Sequence, residues 1–313
     1  MAASLRLRGL NAFAVAVPGT TLVVSAMLAI MVAGPACVVI GADQARYVER
    51  EEKRFAVSGR PDVSLSTFDG AIEVRTSDKP EVAVTIEKRA FDKEAAAQID
   101  VHTEQSGNHV VVSVRMPKET RVLGLGWRHA SAKLIVTLPP ASDVHARSGD
   151  GAIDIERVTG TLSLTSGDGS IRGRDLAGDI KVHTGDGTIR LDQVSGALDA
   201  DTGDGSITVA GTLTSLHARS GDGSVTIRAD GGSRTDADWN IVTGDGSVVL
   251  EVPESFGGEL DAHTGDGRIN LHDVTLSNVS GPLGRTTVRG RLGSGGRAVR
   301  IRTGDGSITL RRF

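Results

Sequence analysis

The chain has 313 residues, a net charge of −4, 40 Gly and 3% aromatic residues. No run of one charge argues for a nucleic-acid partner, and so few aromatics argue against a bulky globular core. So much glycine instead suits a chain of many tight turns.

In chain order, residues 1–42 come first. Arg6 and Arg8 precede the apolar runs Leu10–Val17 and Leu22–Ala42, which Pro18 helps to separate. This is the pattern of a signal peptide or an N-terminal membrane anchor, and it stands apart from the fold. Three fates fit it. Cleavage after Ala42 leaves a soluble exported protein; an uncut Leu22–Ala42 is about long enough to span a bilayer. The third is lipidation at Cys37, because Gly34-Pro35-Ala36-Cys37 resembles a bacterial lipobox in which Gly34 stands where leucine is usual. Every fate puts the rest of the chain outside the cytoplasm. With Cys37 the only thiol, an intrachain disulfide is impossible.

Residues 43–54 are densely charged and predict a linker or short lead-in. From 55 to 140 the pattern is less regular. A first, degenerate turn unit surrounds Asp69-Gly70, and strands are expected at Glu81–Glu87, Val110–Val114 and Lys133–Leu138. Asp92–Gln98 holds strong helix formers behind an acidic start. End units of repeat proteins are atypical because they close an open end, so 55–140 is expected to be a β-rich cap with one short helix.

Residues 141–313 carry the repeat. Ser148-Gly149-Asp150-Gly151 returns at Asp168, Asp186, Asp204 and Asp222, each 18 residues after the last. Further copies stand at Asp245, Asp266 and Asp305, after 23, 21 and 39 residues. A fixed period in this range marks an array of like units. Positions four and six before each Asp are apolar (Ala146 and Val144, Val182 and Ile180). So are positions three and five after it, apart from Gly173 (Ile153 and Ile155, Ile189 and Leu191). The residues between are mixed, which is the alternation of half-buried strands. A looser corner closes each unit, as in Val158-Thr159-Gly160. The loop from Asp230 to Asp238 absorbs the excess before Asp245, and a unit lacking the turn is expected around Thr286–Leu292 before the last one.

An antiparallel meander would leave one apolar face bare. Stacked coils bury both inward pairs and set like residues about 4.8 Å apart in columns. The expected fold is therefore all-β: a right-handed parallel β-solenoid of 18-residue coils. Gly151, Gly169, Gly187, Gly205, Gly223, Gly246, Gly267 and Gly306 are the structural turn residues, free to take positive φ. The Ser or Thr two residues before each Asp caps the same corner. Stacked Asp charges repel by about 1 kcal/mol in water, which an exposed edge tolerates.

Val48–Phe55, Leu65–Ile72, the Thr-Gly-Asp-Gly-Ser-Ile units and Val288–Gly296 resemble a bacterial β-strand-repeat family of unknown function labelled "putative adhesin". The similarity covers about 45–313. It implies an exported, envelope-associated β-solenoid with no catalytic residues to carry over.

Chemistry is otherwise sparse. Asp150, Asp168, Asp186, Asp204 and Asp222 are calcium candidates by analogy with β-rolls, but each coil offers one such carboxylate and calcium takes six to eight oxygens. The structural-turn reading is preferred. The eight His form no cluster: His145 and His217 share one outward position, His183 and His263 another. Outward acids such as Asp154, Asp199 and Asp201 show no recurring acid–base set for polysaccharide cleavage. The terminal Phe313 is expected to cap the core. The sequence thus predicts a non-catalytic scaffold or interaction surface without a cofactor. Its partner would be a protein or cell-envelope component, with membrane contact only through the N-terminal segment if uncleaved or lipidated. A calcium-stabilised β-roll and a polysaccharide-active β-helix are the alternatives.

Overall fold

The computed structural model describes residues 47–116, 130–280 and 284–313. Residues 1–42, with Cys37, lie outside them. Two faces form, one from strands entering each Gly-Asp-Gly corner and one from strands leaving it. The leaving strand bends at a second corner and becomes the next entering strand, so β11 (Ile171–Thr184), β12 (Ile189–Thr202) and β13 (Ile207–Ser220) each serve both faces. They pair in parallel with an offset of one repeat: Ile171 with Ile189, Ile189 with Ile207, Leu198 with Leu216. The apolar columns point inward, and Ile171, Ile189 and Ile207 are 0% exposed.

A third column completes this core. Val158, Leu176 and Val194 are buried. The second corner itself sits one residue earlier, at Arg157, Asp175 and Gln193, whose φ values are 59°, 54° and 57°. In the expected apolar-x-Gly corner the apolar residue is thus core. Gly173, which breaks one column, is compensated by its neighbours: a Cβ there would lie 2.6 Å from Leu176 Cδ1 and 2.8 Å from Leu191 Cδ2.

Coil order departs from chain order at both ends. β2 (Asp62–Thr67) and β3 (Ile72–Thr76) stack directly on β8 (Asp143–Ser148) and β9 (Ile153–Glu156). The Asp69 unit therefore stacks as a coil on the first regular one. Beyond it lie β6 (His109–Arg115), parallel to β2, and β7 (Ser131–Leu138), parallel to β3. β4 (Glu81–Ala90) covers β7, and β1 (Tyr47–Ala56) covers β4, both antiparallel; β5 (Asp100–Ser106) covers β6 in the same sense. The charged stretch expected as a linker is thus an outer strand from Tyr47 on. Its Glu, Arg and Lys side chains (Glu49 to Arg54) line an edge where hydrophobic residues would invite further strands. The one helix among the described residues, α1 (Lys93–Ala97), starts where expected, with the Asp92 carboxylate accepting from the Ala95 N–H at 2.7 Å.

At the other end, β15 (Trp239–Thr243) and β16 (Val248–Val252) follow β13 and β14 (Val225–Ala229). The next layer is β21 (Ala298–Thr303) with β22 (Ile308–Arg312); β17 (Gly258–Thr264) with β18 (Ile269–His272) lies beyond it. The corners therefore stack in the order Asp69, Asp150, Asp168, Asp186, Asp204, Asp222, Asp245, Asp305, Asp266. In this last coil Ile269 and Leu271 are only partly buried. The segment expected as a coil without its turn is β20 (Thr287–Leu292), which runs antiparallel to β17 and to the short β19 (Leu276–Ser277).

Candidate functional surface

The corners form one edge of the stack. Each Ser or Thr before the Gly-Asp-Gly is buried, and its hydroxyl reaches across to the neighbouring coil. Ser166 Oγ donates to Gly151 O at 2.9 Å, Thr184 Oγ1 to Gly169 O at 2.9 Å, and Thr202 Oγ1 to Gly187 O at 3.0 Å. Ser148, Ser220, Thr243, Thr303 and Thr264 bond Gly70, Gly205, Gly223, Gly246 and Gly306 in the same way. The hydroxyl also caps its own corner at four places, accepting from the N–H of Gly151, Gly169, Gly223 and Gly267. Sequence reasoning found the cap and missed the rung between coils.

The turn glycines have a different reason from the one expected. Gly151, Gly169, Gly187, Gly205, Gly223, Gly246, Gly267 and Gly306 do not have positive φ. A Cβ on Gly169 would collide with the backbone carbonyl of Gly151, and each of the others meets the corner below it in the same way. Glycine is required by close approach of backbones, not by conformation.

Asp150, Asp168, Asp186, Asp204 and Asp222 stand in one exposed column along this edge. Among the described residues, no three His, Cys, Asp or Glu side chains converge as a metal site. Asp69, at the end of the column, is pushed above the ordinary carboxylate pKa by burial and then by the charge of Asp150.

The two broad faces carry outward side chains that pair between coils. Lys181 lies 3.5 Å from Asp199, His183 Nδ1 3.1 Å from Asp201 Oδ1, and Arg172 3.7 Å from Asp154. His145 and His217 are four coils apart, as their shared outward position predicts. His145 lies 3.6 Å from Asp62, and His217 bonds Asn240 at 3.4 Å. Arg60 and the Thr161 N–H hold Asp143 below its usual pKa against some burial. Burial pushes Asp261 up, but hydrogen bonds from Arg302 (2.6 Å) and Arg289 (3.0 Å) outweigh it and hold the group low. Glu87 behaves alike between Arg89 and Arg50. A depression of about 300 Å³ on the entering face is lined by Ser64, Ser66, His145, Arg147, Ser163 and Thr165. No described helix is long and apolar enough to cross a membrane. Phe313 is not core: it is 50% exposed and lies beneath the Arg228 guanidinium at 4.7 Å.

Parallel coils with an apolar interior, a glycine corner and polar outer faces define an all-β repeat protein of the solenoid class. The sequence profile of the Toastrack DUF4097 family matches residues 62–311, and the chain belongs to that family. No curated protein matches the chain. Among solved structures it is similar to a "putative adhesin" from Bacteroides fragilis, at 13% identity and TM-score 0.46, covering 83% of this chain and 96% of that one. A "putative cell adhesion protein" from Clostridium sporogenes matches at 12% identity and TM-score 0.26, covering 84% and 100%. A "putative lipid binding protein" from Parabacteroides distasonis matches at 13% and 0.30, covering 83% and 96%.

Proposed function

We propose that this protein is an exported, envelope-associated and non-catalytic β-solenoid whose coils are right-handed and whose outer faces bind a protein or cell-envelope component. One observation carries the reading. Inward and corner positions repeat from coil to coil, whereas outward positions change in charge and size, as from Lys181 to Asp199 to His217 along one row. Variation confined to the outer faces is what a contact surface on a fixed scaffold requires. The apolar run in 1–42 supports export, and Cys37 supplies the lipid-anchored route. Right-handed crossover between parallel strands is the sterically favoured hand.

The test measures retention of the purified protein on isolated envelope fractions. Reversing Lys181 and Asp199 together, then Arg172 and Asp154, should abolish retention for one face and leave melting unchanged. Retention unaffected by either double reversal refutes the reading. Cleavage of a polysaccharide by the same protein would establish the enzyme instead, and a calcium-dependent rise in melting temperature the β-roll. Mass spectrometry of the mature N-terminus decides between Cys37 lipidation, cleavage and retention.

A further inference from the structure

Residues 298–313 hold an interior place in the stack although their corner, Asp305, stands furthest along the sequence of the nine. β21 is hydrogen-bonded on both sides in parallel register, so Arg300 lies between Asn240 and Asp261 and Ile301 between Ile241 and Ala262. β22 lies likewise between β16 and β18, with Leu310 between Leu250 and Leu271. Among the described strands no ladder joins β15 to β17, or β16 to β18. The Asp245 and Asp266 coils therefore present two facing edges, each with unpaired backbone groups, that only an inserted coil satisfies.

The slot reads its occupant by side chain as well as backbone. Arg300 Nη1 bonds Asp238 at 2.8 Å and Arg302 Nη2 bonds Asp261 at 2.6 Å. Thr303 Oγ1 donates to Gly246 O at 2.8 Å, and Thr264 Oγ1 donates to Gly306 O at 2.7 Å. Val299, Ile301, Ile308 and Leu310 fill the interior. The occupant arrives through a loop in which Gly293, Gly295 and Gly296 have φ of 53°, 84° and 154°. Such a loop can open with little steric resistance, since glycine is at home in extended as well as left-handed backbone.

We propose that this slot is an interaction site for a second copy of the chain, which inserts its own residues 298–313 in place of the resident ones and forms a strand-exchanged dimer. Every contact above is then remade between copies. The balance is set by concentration and by the conformation of the 293–297 loop, the usual terms of such an exchange. This inference stands whether or not the outer faces bind a partner.

Two full-length variants test it, both carrying Cys37→Ser: Asn240→Cys in one and Arg300→Cys in the other. Register partners on neighbouring strands lie about 4.8 Å apart, within disulfide range. Mixed under native, mildly oxidising conditions, they should form a covalent heterodimer joined through positions 240 and 300, identified by peptide mass. Its yield should rise roughly in proportion to protein concentration at low occupancy. A chain carrying both substitutions should close its own disulfide at low concentration. Absence of the 240–300 heterodimer at every concentration, while the double variant closes internally, overturns the proposal. So does wild-type protein that elutes as monomer throughout the same range.

Discussion

Thr184, itself fully buried, donates its hydroxyl to the carbonyl of Gly169, on the coil beneath, at 2.9 Å. Eight such rungs join the nine corners. Replacing Thr184 by Val keeps the shape and leaves the half-buried Gly169 carbonyl short of a partner. The expected cost is about 1–3 kcal/mol, with Thr184→Ser costing less because the rung survives. Urea unfolding of the three proteins decides it, and equal midpoints for Val and Ser would dismiss the rung as a stabilising contact.

Gly169→Ala should be far more damaging than its modest chemistry implies, because the new methyl collides with backbone that cannot turn aside. A loss of about 3 kcal/mol or more is expected, at or beyond the upper end of the ~1–3 kcal/mol typical of overpacked cores. Asp168→Asn beside it should leave stability within about 0.5 kcal/mol, as for other exposed substitutions. Reversal of that order in thermal melts would disprove the close-approach account.

At the second corner, Gln193 holds φ of 57°. A side chain in this region costs roughly 1–2 kcal/mol, partly offset in glycine by its more flexible unfolded state. Gln193→Gly should therefore raise stability, by about 0.5 kcal/mol. A fall in melting temperature would show that the Gln193 side chain contributes more than its backbone costs.

Trp239 packs against Phe256 with ring centroids 4.9 Å apart, yet its buried indole N–H has no partner among the described residues. Removing an orphaned donor recovers part of its desolvation penalty. Trp239→Phe should change stability by less than about 1 kcal/mol, against about 3–5 kcal/mol for Trp239→Ala. Comparable losses for both would show that the indole, through its N–H, contributes something a phenyl ring cannot replace.

Asp261 and Asp143 are held below their usual pKa by arginine, so the folded state takes up protons less readily than the unfolded chain. Their contribution is complete above the unfolded value of about 4 and disappears as pH falls through the lower folded one. Asp69 runs the other way: its raised pKa gives stability at acid pH that is lost as pH rises. Asp261→Asn should flatten the acid limb of a stability–pH curve, and Asp69→Asn should stabilise at pH 7 more than at pH 3. An unchanged acid limb in Asp261→Asn would show that other carboxylates drive acid unfolding.

Much of this was legible in the residues. The 18-residue interval and the Ile153, Ile171, Ile189, Ile207 series predict parallel coils in register, and the structure has them. Val158 and Val194 were legible as apolar but not as core, because a period-two pattern stops at a bend. The strand from Tyr47 was hidden because an outer strand needs no apolar face. The place of Asp305 did leave a trace: Arg300 and Arg302 complement Asp238 and Asp261, which belong to the coils on either side.

By itself the sequence determined which side chains face inward and how each coil sits on the next along the chain, since both follow from local alternation and a constant repeat length. Only the tertiary structure decided which coils become neighbours where the chain turns back, at Asp69 and at Asp305. The physical reason is that apolar columns of Ile, Val and Leu fit one another in any order. The choice therefore falls to outward ion pairs, edge cover and chain connection, which are long-range and carry no period.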